Sequence, residues 1–120
     1  MKTLLLTLTL FLFSTAAYIP TSDRVPILNK GISVVEFNAS FNSTNSVGWM
    51  DKLSDCEGRR IDIVSDPIMQ KEHKIVVVPT IIIFNEGEEV KRFQANIMMQ
   101  LEASQSDVQD VIDNIIMSAF

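Results

Sequence analysis

A short apolar strand that ends in a polar turn constrains the fold of this chain more than any other stretch. Residues 32–37 are largely apolar and β-branched and contain one acid, Glu36. Residues 38–45 are rich in Ser and Asn, which favour a loop or a helix N-terminus, and they include no Cys, His or Gly. A strand that leads into such a turn is where α/β proteins commonly place binding or reactive groups.

The apolar patterns after this turn predict alternating helices and strands. Residues 43–56 predict a helix, because Trp49, Leu53 and Cys56 recur on one helical face and Gly58 can end it. Residues 60–64 predict a short strand, and Asp66-Pro67 predicts the start of a short helix that runs towards residue 74.

The C-terminal half predicts a hairpin followed by a helix. Residues 80–84 and 89–95 predict two strands that are joined by the turn Asn85-Glu-Gly87. A last helix begins near Ser104 or Ser106, either of which can cap it, and its apolar stripe has helical spacing. This stripe consists of Val108, Val111, Ile112, Ile115 and Ile116. The order β-α-β-α-β-β-α predicts an α/β domain with a compact mixed sheet and helices on both faces.

The N-terminus resembles an export signal. Residues 1–17 combine Lys2, an apolar run and a small-residue stretch that ends at Ala17, the pattern of a cleaved signal peptide. The alternative, a transmembrane anchor, is disfavoured because spanning a bilayer takes about 20 apolar residues. We expect a signal peptide at 1–17, a lead-in segment at 18–31 and one domain at 32–120. The mature protein would then be periplasmic or secreted, with no stable membrane anchor.

Charge and cysteine content exclude several classes of function. Without Lys2, nine basic residues stand against fifteen acidic ones, a net charge of −6, which argues against binding nucleic acid. The single cysteine, Cys56, excludes an internal disulfide. His73 has no second ligand at metal-binding spacing and is expected to be solvent-exposed, so we predict neither a metal nor another cofactor.

Four segments resemble the thioredoxin family. They are Val34-Val-Glu-Phe-Asn-Ala-Ser-Phe41, Arg60-Ile-Asp-Ile-Val-Ser-Asp-Pro67, His73-Lys-Ile-Val-Val-Val-Pro-Thr80 and Ile83-Phe-Asn-Glu-Gly-Glu88. The resemblance covers residues 32–116 and implies a thioredoxin-like fold. It also implies a cis peptide bond between Val78 and Pro79, in a loop whose backbone pairs with extended peptides in that family.

The departure from the family bears directly on function. The resemblance places Asn42 and Asn45 where the family has the two cysteines of its Cys-x-x-Cys motif. An amide provides no thiolate, so the dithiol route of thiol–disulfide exchange is chemically impossible here. Phe41 takes the aromatic position before the first cysteine, and Glu36 aligns with the buried acid of the family.

Several residues allow two interpretations. Glu36 is either an acid–base group or, as we favour, a satisfied core acid. Cys56 is either a reactive thiol that forms mixed disulfides or a small buried residue that packs like an apolar one, which we favour. Met98 and Met99 form either a flexible apolar contact surface or part of the core beside the last helix.

Two glycosylation sequons fall in the turn. They begin at Asn38 and Asn42, and the sequence favours Asn42 as the more accessible acceptor in a eukaryotic host.

The sequence thus predicts a redox-inactive binding or scaffold module rather than an enzyme. We expect a protein or extended peptide to contact Phe41, Asn42, Asn45, Val78 and Pro79. The alternative is an oxidoreductase-related protein that uses Cys56 alone. The sequence defines no oligomeric state.

Overall fold

The computed structural model describes residues 29–120, so the predicted signal peptide and most of the lead-in segment lie outside the described residues. Four strands form one sheet in the order β2-β1-β3-β4. Their bounds are β1 Ile32–Asn38, β2 Glu57–Asp62, β3 Thr80–Asn85 and β4 Glu88–Gln94. Two helices accompany the sheet, α1 Pro67–Glu72 and α2 Gln105–Ser118.

Strand β1 lies inside the sheet, as its apolar sequence predicts. It pairs with β2 in parallel and with β3 antiparallel, and β3 pairs with β4 antiparallel. Every residue from Ser33 to Asn38 is buried. The predicted α/β architecture with a mixed sheet is therefore confirmed.

Alternate residues of β1 and β3 supply two apolar clusters, one on each face of the sheet. On one face, Val35 and Phe37 pack with Ile82 and with Met69 of α1. On the other face, Val34 packs with Ile81, Ile83 and two residues of α2, Val108 and Ile112. Each helix thus covers its own face of the sheet, as the sequence predicts.

The hairpin between β3 and β4 turns through two residues with positive φ. Glu86 has φ 54° and Gly87 has φ 83°. Two successive left-handed residues match the right-handed twist of the flanking strands, and glycine adopts this conformation without steric cost. The predicted Asn85-Glu-Gly87 turn is confirmed.

The predicted helix at 43–56 is wrong. The chain there forms two short 3₁₀ segments, Ser40–Asn45 and Met50–Lys52, joined by an extended connection. An α-helix needs the Val47 N–H to pair with the carbonyl four residues earlier, but this N–H donates to the Glu36 carboxylate at 2.9 Å. Trp49, Leu53 and Cys56 still pack against the second cluster, so the predicted apolar face is correct although the helix is not.

Two further predictions need correction. Gly58 does not end a helix. It lies within β2, where an added Cβ would come within 3.1 Å of the Met50 side chain. His73 is not solvent-exposed, because its ring packs between Phe37 and Phe84 at centroid distances of 5.5 and 5.4 Å.

Among residues 29–120, neither helix has the length and apolar character to cross a membrane.

Candidate functional site

An apolar groove opens beside the turn that follows β1. Most of its lining comes from the turn after β1, the loop before β3 and the loop after β4, and one residue each comes from just after β2 and from α1. The volume of the groove is about 340 Å³, and nine of the described residues line it: Phe41, Ile63, Gln70, Val76, Val77, Val78, Asn96, Ile97 and Met99. None of them carries a charge, so the groove suits an apolar, uncharged group.

Large apolar side chains at the rim of this groove point into solvent. Phe41 is 72% exposed, Val76 78% and Ile97 99%. The neighbouring Met98 is 69% exposed, which favours the contact-surface interpretation of the Met98-Met99 pair over the core interpretation. A cluster of exposed apolar residues is uncommon on a soluble monomer and usually marks a site of interaction.

The loop before β3 contributes backbone as well as side chains. The Val78–Pro79 peptide bond is cis. The Val77 carbonyl accepts a hydrogen bond from the Thr80 hydroxyl at 2.7 Å, which fixes the end of the loop. Among the described residues, no backbone acceptor pairs with the Val78 N–H.

Asn42 lies beneath the groove and not on its surface. Its side chain is buried, and its Nδ2 donates to Asn38 Oδ1 at 3.1 Å and to the Met99 carbonyl at 3.2 Å. A longer contact of 3.5 Å reaches the Val78 carbonyl. Its Oδ1 accepts a hydrogen bond from Asn45 Nδ2 at 2.8 Å. The amide of Asn42 is therefore engaged within the protein.

The structure brings together only part of the predicted site. Phe41 and Val78 line the groove, whereas Pro79 is fully buried and Asn45 contacts Asn42 without lining the groove. Sequence reasoning missed Val76 and Ile97, whereas it named the neighbouring Met98-Met99 pair with a contact surface as one of two interpretations. The isolated Ile97-Met98-Met99 run was the available signal, because a loop between a strand and a helix is normally polar.

Glu36 is a buried carboxylate with two partners. Its Oε1 accepts a hydrogen bond from Arg60 Nη1, and its Oε2 accepts one from the Val47 N–H. Arg60 also donates to the Val47 carbonyl at 2.7 Å. Burial raises the pKa of Glu36, and the Val47 N–H and Arg60 partly offset this rise. The arrangement joins β1, β2 and the connection at Val47, which supports the interpretation as a core acid.

Cys56 lies apart from the groove. It is partly buried and lines a separate cavity of about 490 Å³ with Leu53 and Arg60. Burial raises the pKa of the Cys56 thiol, and Asp55 and Glu57 raise it further. The thiolate is the nucleophile in disulfide chemistry, so this environment weakens the mixed-disulfide alternative.

The two sequon asparagines are both buried. Asn38 Nδ2 donates to the Asn42 carbonyl at 3.1 Å and to Ser46 Oγ at 2.9 Å. A glycan would have to replace these contacts, and the same holds for the Nδ2 of Asn42. The expectation that Asn42 is the accessible acceptor is therefore wrong for the folded protein.

No cluster of three or more His, Cys, Asp or Glu residues that could hold a metal ion occurs in the described part of the chain.

The sheet order and the helix on each face define a thioredoxin-fold domain, and the single cysteine means that the chain has no Cys-x-x-Cys motif. Solved structures agree on the fold. Thioredoxin from Schistosoma mansoni is 21% identical with a TM-score of 0.57, and the match covers 72% of this chain and 78% of that chain. A point mutant of thioredoxin from Halobacterium salinarum is 18% identical with a TM-score of 0.57, covering 72% and 75%.

A third similar structure is thioredoxin from Nicotiana alata, 22% identical with a TM-score of 0.56 and coverage of 72% and 74%. No protein-family model and no curated protein matches the chain. At these identities the likeness shows the thioredoxin fold and nothing about activity.

Proposed function

We propose that this protein binds an extended peptide segment non-covalently in the apolar groove and performs no thiol–disulfide exchange. The observation that carries the proposal is the exposed, uncharged rim around the groove, formed by Phe41, Val76 and Ile97. The peptide backbone pairs with the loop at Val78, as an added strand would, and an apolar side chain of the peptide enters the groove.

The chemistry of the turn supports binding without catalysis. Asn42 and Asn45 cannot attack a disulfide, and the single thiol of the chain lies in a different cavity. An apolar groove without a nucleophile holds its ligand by burial and backbone hydrogen bonds alone. The complex is therefore reversible and independent of reductant.

A peptide array of unrelated sequences with every cysteine replaced by serine tests this proposal. The best binder is then measured by fluorescence anisotropy against Phe41→Ser and Ile97→Ser. We expect either substitution to weaken binding about tenfold, because it removes an apolar contact. The matched control is Val90→Ser, an exposed valine of β4 that does not line the groove.

The outcomes separate binding from chemistry. The groove is not the peptide-binding site if affinity is unchanged in Phe41→Ser and Ile97→Ser, or if Val90→Ser weakens binding equally. Reduction of insulin disulfides above background by the wild-type protein contradicts the absence of exchange chemistry.

We also propose that the protein acts after export from the cytoplasm. The signal-like composition of residues 1–17 supports this proposal. Expression of the full chain and intact-mass measurement of the exported product test it, with cleavage expected close to Ala17. Retention of the full-length chain in the cytoplasm would contradict it.

A further inference from the structure

The side chain of Asn42 contacts three segments of the chain at once. Through its Nδ2 it reaches the end of β1 at Asn38, the loop before β3 at Val78 and the loop after β4 at Met99. The opposite amide orientation would set Oδ1 against these three oxygens, and it would leave the Asn45 amide without its acceptor. The donor direction is thus fixed by its surroundings.

The loop after β4 is a preformed unit. Asn96 Oδ1 accepts hydrogen bonds from the N–H groups of Met98 and Gln100, at 2.9 and 3.1 Å. The Met99 N–H donates to the Asn96 carbonyl at 3.0 Å, and Met99 has φ 59°. These contacts hold Ile97 and Met98 out in solvent while the Met99 carbonyl points back to Asn42.

Two contacts set the position of this unit relative to Val78. At the base of the loop the Ala95 N–H donates to the Pro79 carbonyl at 3.1 Å, and further along the loop Asn42 donates to the Met99 carbonyl. Within the described residues, the bond from Asn42 to the Met99 carbonyl is the hydrogen bond that joins the loop after β4 to the turn after β1. Val78 and Met99 line the same groove, and the Asn42 side chain contacts both carbonyls, so it adds a link between the two loops where they line the groove, beyond the backbone bond at their base.

We infer that Asn42 is a positioning residue that sets the shape of the groove by joining its two loops, in the place where the family resemblance puts a nucleophile. The inference rests on the proposed peptide-binding function. A thiol has one weak donor and could not make the same set of contacts. Asn42 therefore acts through Val78 and Met99 and does not touch the peptide itself.

A double-mutant cycle tests this inference. Asn42→Ser removes the amide, and Asn96→Ala loosens the same loop from its other side. Anisotropy with the best array peptide gives the affinity of each variant. We expect each substitution to weaken binding by about tenfold, and the double variant to lose little more than either alone, because both act on one element. The matched control is Asn114→Ser, the same substitution at an exposed asparagine of α2 away from the groove, which should change affinity less than about twofold.

Amide exchange gives a readout that needs no ligand. In Asn42→Ser the N–H groups of Met98 and Gln100 should exchange about tenfold faster, because the loop opens more often, while amides in β1 and β3 keep their rates. Unchanged exchange in this loop overturns the inference, as do additive affinity losses. Uniformly faster exchange throughout the sheet also overturns it, because it reveals a general loss of stability.

The results also separate the two proposals. A wild-type protein that binds no peptide contradicts the proposed function, while the exchange experiment still tests the link between the loops. If Asn42→Ser binds the peptide with wild-type affinity, the positioning role of Asn42 is contradicted, but the proposal that the groove binds peptides is not.

Discussion

The Glu36 carboxylate is buried opposite Arg60 in the parallel register of β1 and β2. A carboxylate in this position is tolerated because a guanidinium and a backbone N–H neutralise and satisfy it. Its pKa is nevertheless raised, since the cost of burial exceeds the effect of both partners. The folded state therefore holds this proton more tightly than the unfolded state. The free energy of unfolding falls as the pH rises from the ordinary carboxyl range through the raised pKa.

Replacing Arg60 should enlarge this pH dependence. In Arg60→Met the pKa of Glu36 loses a lowering influence, so it rises further. The free energy of unfolding should drop by about 1–2 kcal/mol at neutral pH, a modest value because the Arg60 side chain is 48% exposed. Urea unfolding at a series of pH values measures the loss. It should shrink in acid once Glu36 is protonated in both states, to the part that comes from the lost bond between Arg60 and the Val47 carbonyl.

The control for this prediction is Arg59→Met. It removes the same charge from the neighbouring position of β2, opposite Val35. Among residues 29–120 the buried Nε of Arg59 has no hydrogen-bond partner, and Glu36 bonds to Arg60 and not to Arg59. A loss that is equal at all pH values in Arg60→Met, or a pH dependence shared by Arg59→Met, would show that Glu36 is not the responsible group.

The reactivity of Cys56 depends on its acidic neighbours. Burial, Asp55 and Glu57 all raise the pKa of the thiol, so iodoacetamide at neutral pH should label it more slowly than a free cysteine peptide. Asp55→Asn should speed labelling, because it removes one carboxylate while asparagine still tolerates the positive φ of 65° at this position. Mass spectrometry follows the rate. Asp51→Asn, in the same cavity, is the control and should leave it nearly unchanged.

Elements with strong periodicity could be predicted from the sequence, and those shaped by tertiary hydrogen bonds could not. Strands β1 and β3 and helix α2 follow from runs of apolar residues at the right spacing. The segment at 43–56 carries a helical spacing as well, but the bond from Val47 to Glu36 and the network around Asn42 replace the helical ladder. Such contacts join residues from separate elements and have no local pattern.

The candidate site was predictable to a similar extent. Phe41 and Val78 could be placed by the family resemblance, because each aligns with a motif whose position in the fold is known for the family. The shape of the loop at Asn96–Gln100 could not, since it depends on the side chain of Asn96 and on the left-handed backbone of Met99. An apolar tripeptide in a sequence does not reveal whether it turns inward or, as here, outward.

The structure shows which of two serines caps the N-terminus of α2. Ser104 Oγ accepts a hydrogen bond from the Asp107 N–H, and the Asp107 carboxylate accepts one from the Ser104 N–H at 2.8 Å. This reciprocal capping box decides the choice that the sequence left open. Ser104→Ala should lower the free energy of unfolding by about 1 kcal/mol in urea unfolding. Ser106→Ala should cost much less, because the hydrogen bond of the Ser106 hydroxyl within residues 29–120 goes to the Ser104 hydroxyl and not to a backbone N–H of the helix. Equal losses in the two variants would contradict the cap.

At the scale of the whole molecule, the protein is acidic, whereas the described side chains that line its groove are uncharged. The chain carries a net charge of −5, while the described residues that line the groove have apolar or amide side chains. The electrostatic field of the molecule should therefore influence the association rate of a peptide, and the contacts in the groove should determine its dissociation rate. These two contributions can be measured separately through the association and dissociation rates.

Two peptides with the same apolar centre, flanked by lysines or by glutamates, make this distinction under the proposed function. At low salt the lysine-flanked peptide should associate several-fold faster, because the acidic protein attracts it over a longer Debye length. At about 0.15 M salt the association rates should converge, since screening acts within about 8 Å. The dissociation rates should stay alike at both salt concentrations, because none of the described residues that line the groove is charged. Stopped-flow fluorescence measures both rates. Faster dissociation of the glutamate-flanked peptide at all salt concentrations would place charged groups of the protein in direct contact with the ligand, and the groove described above would then not be the binding site.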